Sequence, residues 1–237
     1  MIGTLFGIGV GPGDPELLTM RAVKTFQQVD VVLASTRQGN EESTALNIAK
    51  PYLPAHCQIV QLDFPMTRDS TILQKAWDAA VHTTLDIVNQ GRNTAFLTLG
   101  DPLIYSTFSY LLNGIKAICP TTPITIIPGI TSFQAACAKM HLSLCTAEDN
   151  VHLISGINSQ EVLEQELASA DTAVILKVYR NFAAINEALH KTGRTHTSYQ
   201  VSYVEQPEEV LQSHLSLETK PPYMTLIISK KPSSLTQ

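Results

Sequence analysis

Two α/β domains are predicted, and three observations predict them. Apolar runs of strand length alternate with helical stretches through both halves of the chain. The segment Cys119-Pro120-Thr121-Thr122-Pro123 resists both helix and central strand, which sets the domains at 1–119 and 124–237. The run Leu97-Thr98-Leu99 stops at Gly100-Asp101-Pro102, as a buried strand does at the end of its sheet.

In the first half, residues 5–10 read as a buried strand. Asp14-Pro15-Glu16 then opens a helix, with Asp as N-cap, Pro preorganised for the first turn and Glu at the positive dipole end. Leu17, Leu18, Ala22, Val23 and Phe26 give it an apolar stripe at helical spacing. Strands follow at 29–34, 58–62 and 94–99. Helices occupy 43–50, stopped by Pro51, then 70–90, ended by Gly91, and 107–118. In the second half, 124–127, 151–155, 172–178, 199–204 and 223–229 read as strands. Helices run to Lys139 and over 159–168 and 181–190. The later strands have no helix between them, so the second sheet is expected to be mixed. The tail from Lys230 is expected to fray.

Composition narrows the function classes. Hydrophobic content of 44% with 16% charged residues suits a soluble globular protein, and a net charge of -5 argues against a nucleic-acid partner. No apolar run approaches the roughly 20 residues that span a bilayer, and the start shows no basic segment leading into an apolar one. The expected location is therefore cytoplasmic, with no membrane partner. Cys57, Cys119, Cys137 and Cys145 form no C-x-x-C pair and are expected to be free buried thiols. The histidines show no helical H-x-x-x-H spacing, so no protein-bound metal is expected.

The glycine-rich stretch Gly7-Ile8-Gly9-Val10-Gly11-Pro12-Gly13-Asp14 follows a strand and precedes a helix. Starting at Gly7, Gly9 or Gly11, the sixth residue is Pro12, Asp14 or Glu16, so the dinucleotide fingerprint G-x-G-x-x-G fails in every register. Asp14 and Glu16 would also repel a pyrophosphate at the helix start. A P-loop is excluded because no G-K-[ST] follows. Two readings stay open: a tight turn with close backbone packing, or a loop bordering a pocket that takes a large ligand. Asp101, on a turn at the carboxyl end of a strand, stands where α/β sheets hold small ligands and can grip a ribose diol.

Three segments carry a resemblance to one family. Gly9-Val10-Gly11-Pro12-Gly13-Asp14-Pro15 with Leu17-Leu18-Thr19 resembles the opening motif of the tetrapyrrole methylases. Leu99-Gly100-Asp101-Pro102 is similar to their central S-adenosylmethionine motif, and Pro128-Gly129-Ile130-Thr131-Ser132 to their third. The three stand in family order over essentially the whole chain. Uroporphyrinogen-III methylases usually carry Gly-Gly-Asp-Pro and then Phe-Gly-Arg. Here Leu99 replaces the first Gly and Tyr105-Ser106-Thr107-Phe108-Ser109-Tyr110-Leu111 follows, which is similar to the C20-methyltransferases of corrin biosynthesis. Phe64-Pro65-Met66 fits the same subfamily.

The resemblance implies the tetrapyrrole methylase fold, two α/β domains with a cleft between them, in a homodimer. It implies S-adenosylmethionine bound in that cleft as co-substrate. By motif position, Leu99, Gly100, Asp101 and Ile104 line it, with Ser106, Thr107, Thr131 and Ser132 adding hydroxyls. Pro12 and the Leu176-Lys177 strand end border it. The implied reaction is methyl transfer to C20 of precorrin-2 or of its cobalt complex, cobalt-factor II. The compact length leans towards the cobalt complex. The methyl is activated by the sulfonium and C20 is electron-rich, so alignment and desolvation carry most of the catalysis. No general base is assignable; Tyr105, Asp14 and Asp101 are the nearby candidates. The eight carboxylates of such a substrate need local cations, for which Arg37 and Arg180 are the first choices and Arg21, Lys50, Arg68 and Lys177 further ones. The alternatives are another methylase of this fold, of uroporphyrinogen-III or precorrin-4 type, or a non-catalytic adenine-nucleotide-binding regulator.

Overall fold

The computed structural model describes residues 1–36, 43–65, 67, 69–156, 159–213, 215 and 220–232. The chain divides into two compact units, Met1–Thr131 and Ser132–Gln237.

The first unit is a doubly wound α/β domain. Its strands are β1 (Leu5–Gly9), β2 (Val31–Thr36), β3 (Gln58–Asp63), β4 (Thr94–Thr98) and β5 (Ile124–Ile127), in the order β3-β2-β4-β1-β5. Every pairing is parallel. Its helices are α1 (Met20–Phe26), α2 (Thr44–Ala49), α3 (Ser70–Asn89) and α4 (Phe108–Ile118). Parallel strands need crossovers, and the crossovers put helices on both faces. Ala22, Phe26, Ile48 and Ala49 of α1 and α2 pack on Phe6, Ile8, Val32, Ala95 and Leu97. On the other face, Val81, Leu85 and Val88 of α3 and Leu111 and Ile115 of α4 pack on Leu5, Val31, Leu33 and Phe96. Strands buried on both sides explain the near-continuous apolar runs.

The second unit begins with α5 (Ser132–Lys139). It continues through β6 (Val151–Ser155), α6 (Gln160–Ser169), β7 (Thr172–Leu176), α7 (Phe182–Lys191), β8 (Ser198–Ser202), β9 (Val210–Gln212) and β10 (Thr225–Lys230). The sheet order is β6-β7-β10-β8-β9. Only β6–β7 is parallel, so the expected mixed sheet is found. Leu163 and Leu167 of α6 and Ile185, Ala188 and Leu189 of α7 cover one face over Ile154, Ala173, Ile175 and Ile227.

Several expectations are corrected. The domain boundary lies at Thr131/Ser132, not across 119–124, because β5 hydrogen-bonds to β1 and completes the first sheet. The helix expected from Asp14 splits. Asp14 caps only a 3-10 turn, Pro15–Leu17, then Leu18 is extended and Thr19 caps α1 anew, its Oγ1 accepting from Ala22 N at 3.2 Å. Each of the two caps starts its own turn. The strand expected over 172–178 ends at Leu176, because Lys177 turns left-handed (φ 57) and Val178–Arg180 form a 3-10 turn. β9, short and mostly exposed, carried no recognisable pattern. Lys230 is not frayed: it closes β10, and its Nζ donates to Leu144 O and Thr172 Oγ1, both at 2.8 Å. All four thiols are free, but only Cys137 is buried; Cys145 is exposed and Cys57 and Cys119 are half-buried.

Candidate functional site

In the first unit, β1 and β4 are neighbours whose chains depart in opposite directions, β1 towards β2 and β4 towards β5. Such a reversal opens a crevice at the carboxyl ends of the strands. The loops after β1, β4 and β5 meet there.

Glycine makes that meeting possible. A Cβ on Gly9 would lie 2.5 Å from Gly100 O, and one on Gly129 would lie 2.1 Å from the same atom. These neighbours are backbone, so no side-chain movement relieves the overlap. Gly7 faces the Phe108 ring, 2.3 Å from where a Cβ would stand. Gly11 and Gly100, both at positive φ, exchange backbone bonds: Gly100 N donates to Gly11 O at 2.8 Å and Gly11 N to Gly100 O at 3.3 Å. Close packing against backbone therefore accounts for Gly9, and close packing against the Phe108 ring for Gly7. Gly100 differs, since a Cβ on it would meet nothing nearer than Ile130 O at 4.0 Å. Its open face leaves room for a ligand against the main chain.

Asp101 ties the crevice together. Its Oδ1 accepts from Leu103 N at 2.8 Å, closing the turn after β4, and its Oδ2 accepts from Gly129 N at 3.0 Å, in the loop after β5. Both carboxylate oxygens thus hold backbone. Asp101 thereby latches two strand-end loops, and any ligand contact uses its remaining lone pairs.

The other expected residues divide clearly. Pro12, Leu99, Gly100, Asp101, Ile104 and Thr131 all lie in the three loops at this end of the sheet. Pro12 and Thr131 are buried, and Leu99, Gly100 and Ile104 are half-buried. Ser106 also serves the fold. Its buried hydroxyl lies 2.8 Å from Thr98 Oγ1 and accepts from Phe108 N at 3.1 Å, so it secures the start of α4. Thr107, the N-cap of α4, makes no capping bond with its side chain. Tyr105 has a left-handed backbone (φ 49) and is half exposed. Asp14 spends Oδ1 on Glu16 N at 2.8 Å. Ser132 begins α5 in the second unit. Arg21 and Lys50 are exposed on the first unit. Arg37, Met66 and Arg68 fall outside the described residues.

In the second unit, Leu176, Lys177 and Arg180 lie together at the end of β7, lining a small pocket with Gly156 and Asn181. Partial burial, with the Arg180 charge, pushes the Lys177 ammonium below its ordinary value. Arg180 Nε donates to Tyr179 Oη at 2.8 Å, and the rings of Tyr179 and Tyr223 stand 4.8 Å apart. Sequence reasoning missed Tyr179, Lys220 and Tyr223, because nothing in linear spacing joins residues so far apart. Among the described residues, no group of three or more His, Cys, Asp or Glu is placed to hold a metal.

The family model for tetrapyrrole (corrin/porphyrin) methylases matches residues 4–209. The chain belongs to the tetrapyrrole methylase family. Within it, the chain is 30% identical over 234 residues to the cobalt-precorrin-2 C(20)-methyltransferase of Salmonella typhimurium, covering 98% of each. It is 31% identical over 242 residues to the precorrin-2 C(20)-methyltransferase of a Sinorhizobium species, covering 96% of this chain and 95% of that one. The fold is shared with the uroporphyrin-III C-methyltransferase of Thermus thermophilus solved with S-adenyl homocysteine. That likeness has a TM-score of 0.68 at 19% identity, over 97% of this chain and 98% of that one.

Proposed function

We propose that this methylase transfers the methyl group of S-adenosylmethionine to C20 of a precorrin-2-type tetrapyrrole in cobalamin biosynthesis. The observation that carries this reading is near-complete coverage by two curated C20-methyltransferases at 30% and 31% identity. The crevice supports it. Three motif loops converge at the carboxyl ends of adjacent strands, with the open face of Gly100 available to a close ligand. Pro12, Leu99, Gly100, Asp101, Ile104 and Thr131 are the residues of the first unit proposed to hold S-adenosylmethionine. Thr107, Ser132 and Leu176 are further proposed contacts.

The reaction balances without a metal or oxidant. The electron pair of the enamine-like C20 attacks the methyl carbon in line with the sulfonium. The C–C bond forms as the C–S bond breaks, and the pair released to sulfur leaves neutral S-adenosylhomocysteine. The C20 proton then departs to solvent or a base, restoring conjugation. Fixing the reactants in a near-attack arrangement lowers such a barrier by about 7–11 kcal/mol, so the protein needs alignment before it needs a base.

The methylase is proposed to act as a cytoplasmic homodimer without a resident metal, taking no nucleic acid or membrane as partner. The family resemblance supports the dimer. Net charge -5 supports the lack of a nucleic-acid partner. Among the described residues, no helix is long and apolar enough to cross a membrane.

The experiment is turnover of S-adenosylmethionine with cobalt-factor II and with precorrin-2, side by side, read by mass spectrometry. The expected product is one methyl group heavier, with equimolar S-adenosylhomocysteine. Absence of a methylated product from both substrates rejects the reading. The relative rates assign the cobalt-bound or metal-free route.

A further inference from the structure

The cations of the second unit sort into two groups. Lys139 pairs with Glu205 at 3.1 Å and Glu209 at 3.5 Å, Lys191 with Glu164 at 3.3 Å, and Lys231 with Asp171 at 3.7 Å. Lys230 and the buried Arg194 donate to backbone carbonyls. Among the described residues, only Lys177, Arg180 and Lys220 of this unit have neither a carboxylate nor a carbonyl partner.

Two of them stand over one aromatic pair, and Lys177 lies beside Arg180. Arg180 Cζ lies 5.8 Å and Lys220 Nζ 5.9 Å from the centre of the Tyr179 ring. That ring packs against Tyr223 at 4.8 Å with a 55° tilt. Lys177 and Arg180 line the same pocket at the end of β7. Lys177 has a left-handed backbone (φ 57), a conformation uncommon for a residue with a side chain. Arg180 also acts on Lys177 as an unfavourable like charge. In a chain with net charge -5, three cations without a carboxylate partner among the described residues, beside two phenol rings, form a site for an external anion with a flat apolar body.

We propose that Lys177, Arg180 and Lys220, set about the Tyr179–Tyr223 pair, form the subsite that binds the carboxylate side chains of the tetrapyrrole. This assignment rests on the proposed function and deepens it. Guanidinium and ammonium groups pair with acetate and propionate arms, and the phenol faces cover the macrocycle rim. S-adenosylmethionine also carries a carboxylate, so the test separates the two sources.

Arg180→Gln, Lys220→Gln and the double variant are compared with the wild-type full chain. Uroporphyrin III, a planar octacarboxylate, is the probe for direct binding by absorbance titration at low and high salt. S-adenosylhomocysteine is titrated in parallel. Both side-chain changes lie at exposed positions, and thermal unfolding confirms that the three variants are folded. Each single variant is expected to weaken uroporphyrin III binding about tenfold, with a shallower salt dependence, while S-adenosylhomocysteine affinity stays within about twofold. Wild-type porphyrin affinity in the double variant overturns the subsite. So does a loss confined to S-adenosylhomocysteine, which would assign these cations to the methionine carboxylate, and so does a wild-type chain that binds no uroporphyrin III. A wild type that binds the porphyrin through these residues yet methylates neither precorrin-2 nor cobalt-factor II rejects the function and leaves the subsite standing.

Discussion

The carboxylate of Asp101 holds Leu103 N on one oxygen and Gly129 N on the other. Asn offers one acceptor oxygen and sets an NH2 against the second N–H, so Asp101→Asn loses one bond where Asp101→Ala loses both. Hydrogen bonds to a charged group contribute about 1.5–3 kcal/mol each. Asp101→Ala is expected to lower S-adenosylhomocysteine affinity at least about tenfold in calorimetric titration, with Asn between Ala and wild type. Unchanged affinity in a folded Asp101→Ala protein would remove the latch from the account. The crevice glycines give a second ranking. Gly129→Ala drives a Cβ into Gly100 O and is expected to destabilise by about 3 kcal/mol or more in urea unfolding. Gly100→Ala meets open space and carries only the strain of its positive φ, about 1 kcal/mol. An equal cost for both would contradict the packing described.

Arg194 is the element-scale counterpart of that latch. Only 2% exposed, it donates through its guanidinium to Ser229 O at 3.3 Å, Leu167 O at 2.6 Å and Ala170 O, tying the end of α6 to β10. Arg194→Met keeps much of the volume and leaves those carbonyls unpaired. A loss of about 3–5 kcal/mol in denaturant unfolding is expected, and a change below about 1 kcal/mol would contradict the tie. Nothing in the local sequence marks Arg194, since its partners lie 24 to 35 residues away. Elements with strong local signals were legible: α3 is capped by Asp69 and stops before Gly91, as its composition dictates. β9 and the break at Lys177 were not, because one is too short for a pattern and the other is a left-handed turn at a lysine, with no glycine or asparagine to mark it. The prolines at 120 and 123 mark a loop, but the sheet bonds of β5 decide which unit owns the next strand.

At the scale of the molecule, the chain builds a doubly wound unit whose strand-end loops meet at a crevice and a mixed-sheet unit bearing the Lys177, Arg180 and Lys220 cluster. The three motif segments were readable because glycine, proline and aspartate at fixed spacing are what such loops require. The duties of Asp101 and Ser106 were not, because a sequence does not reveal that a carboxylate or hydroxyl is already engaged by backbone. The Tyr179–Tyr223 cluster was hidden for the same reason as Arg194: it is assembled by the fold from distant positions. The central claim is the site of methylation. S-adenosylmethionine labelled with carbon-13 in its methyl group, incubated with the full chain and cobalt-factor II or precorrin-2, should give a product whose carbon NMR spectrum shows the label bonded to C20. Label at another ring position, or no labelled macrocycle from either substrate, would contradict it.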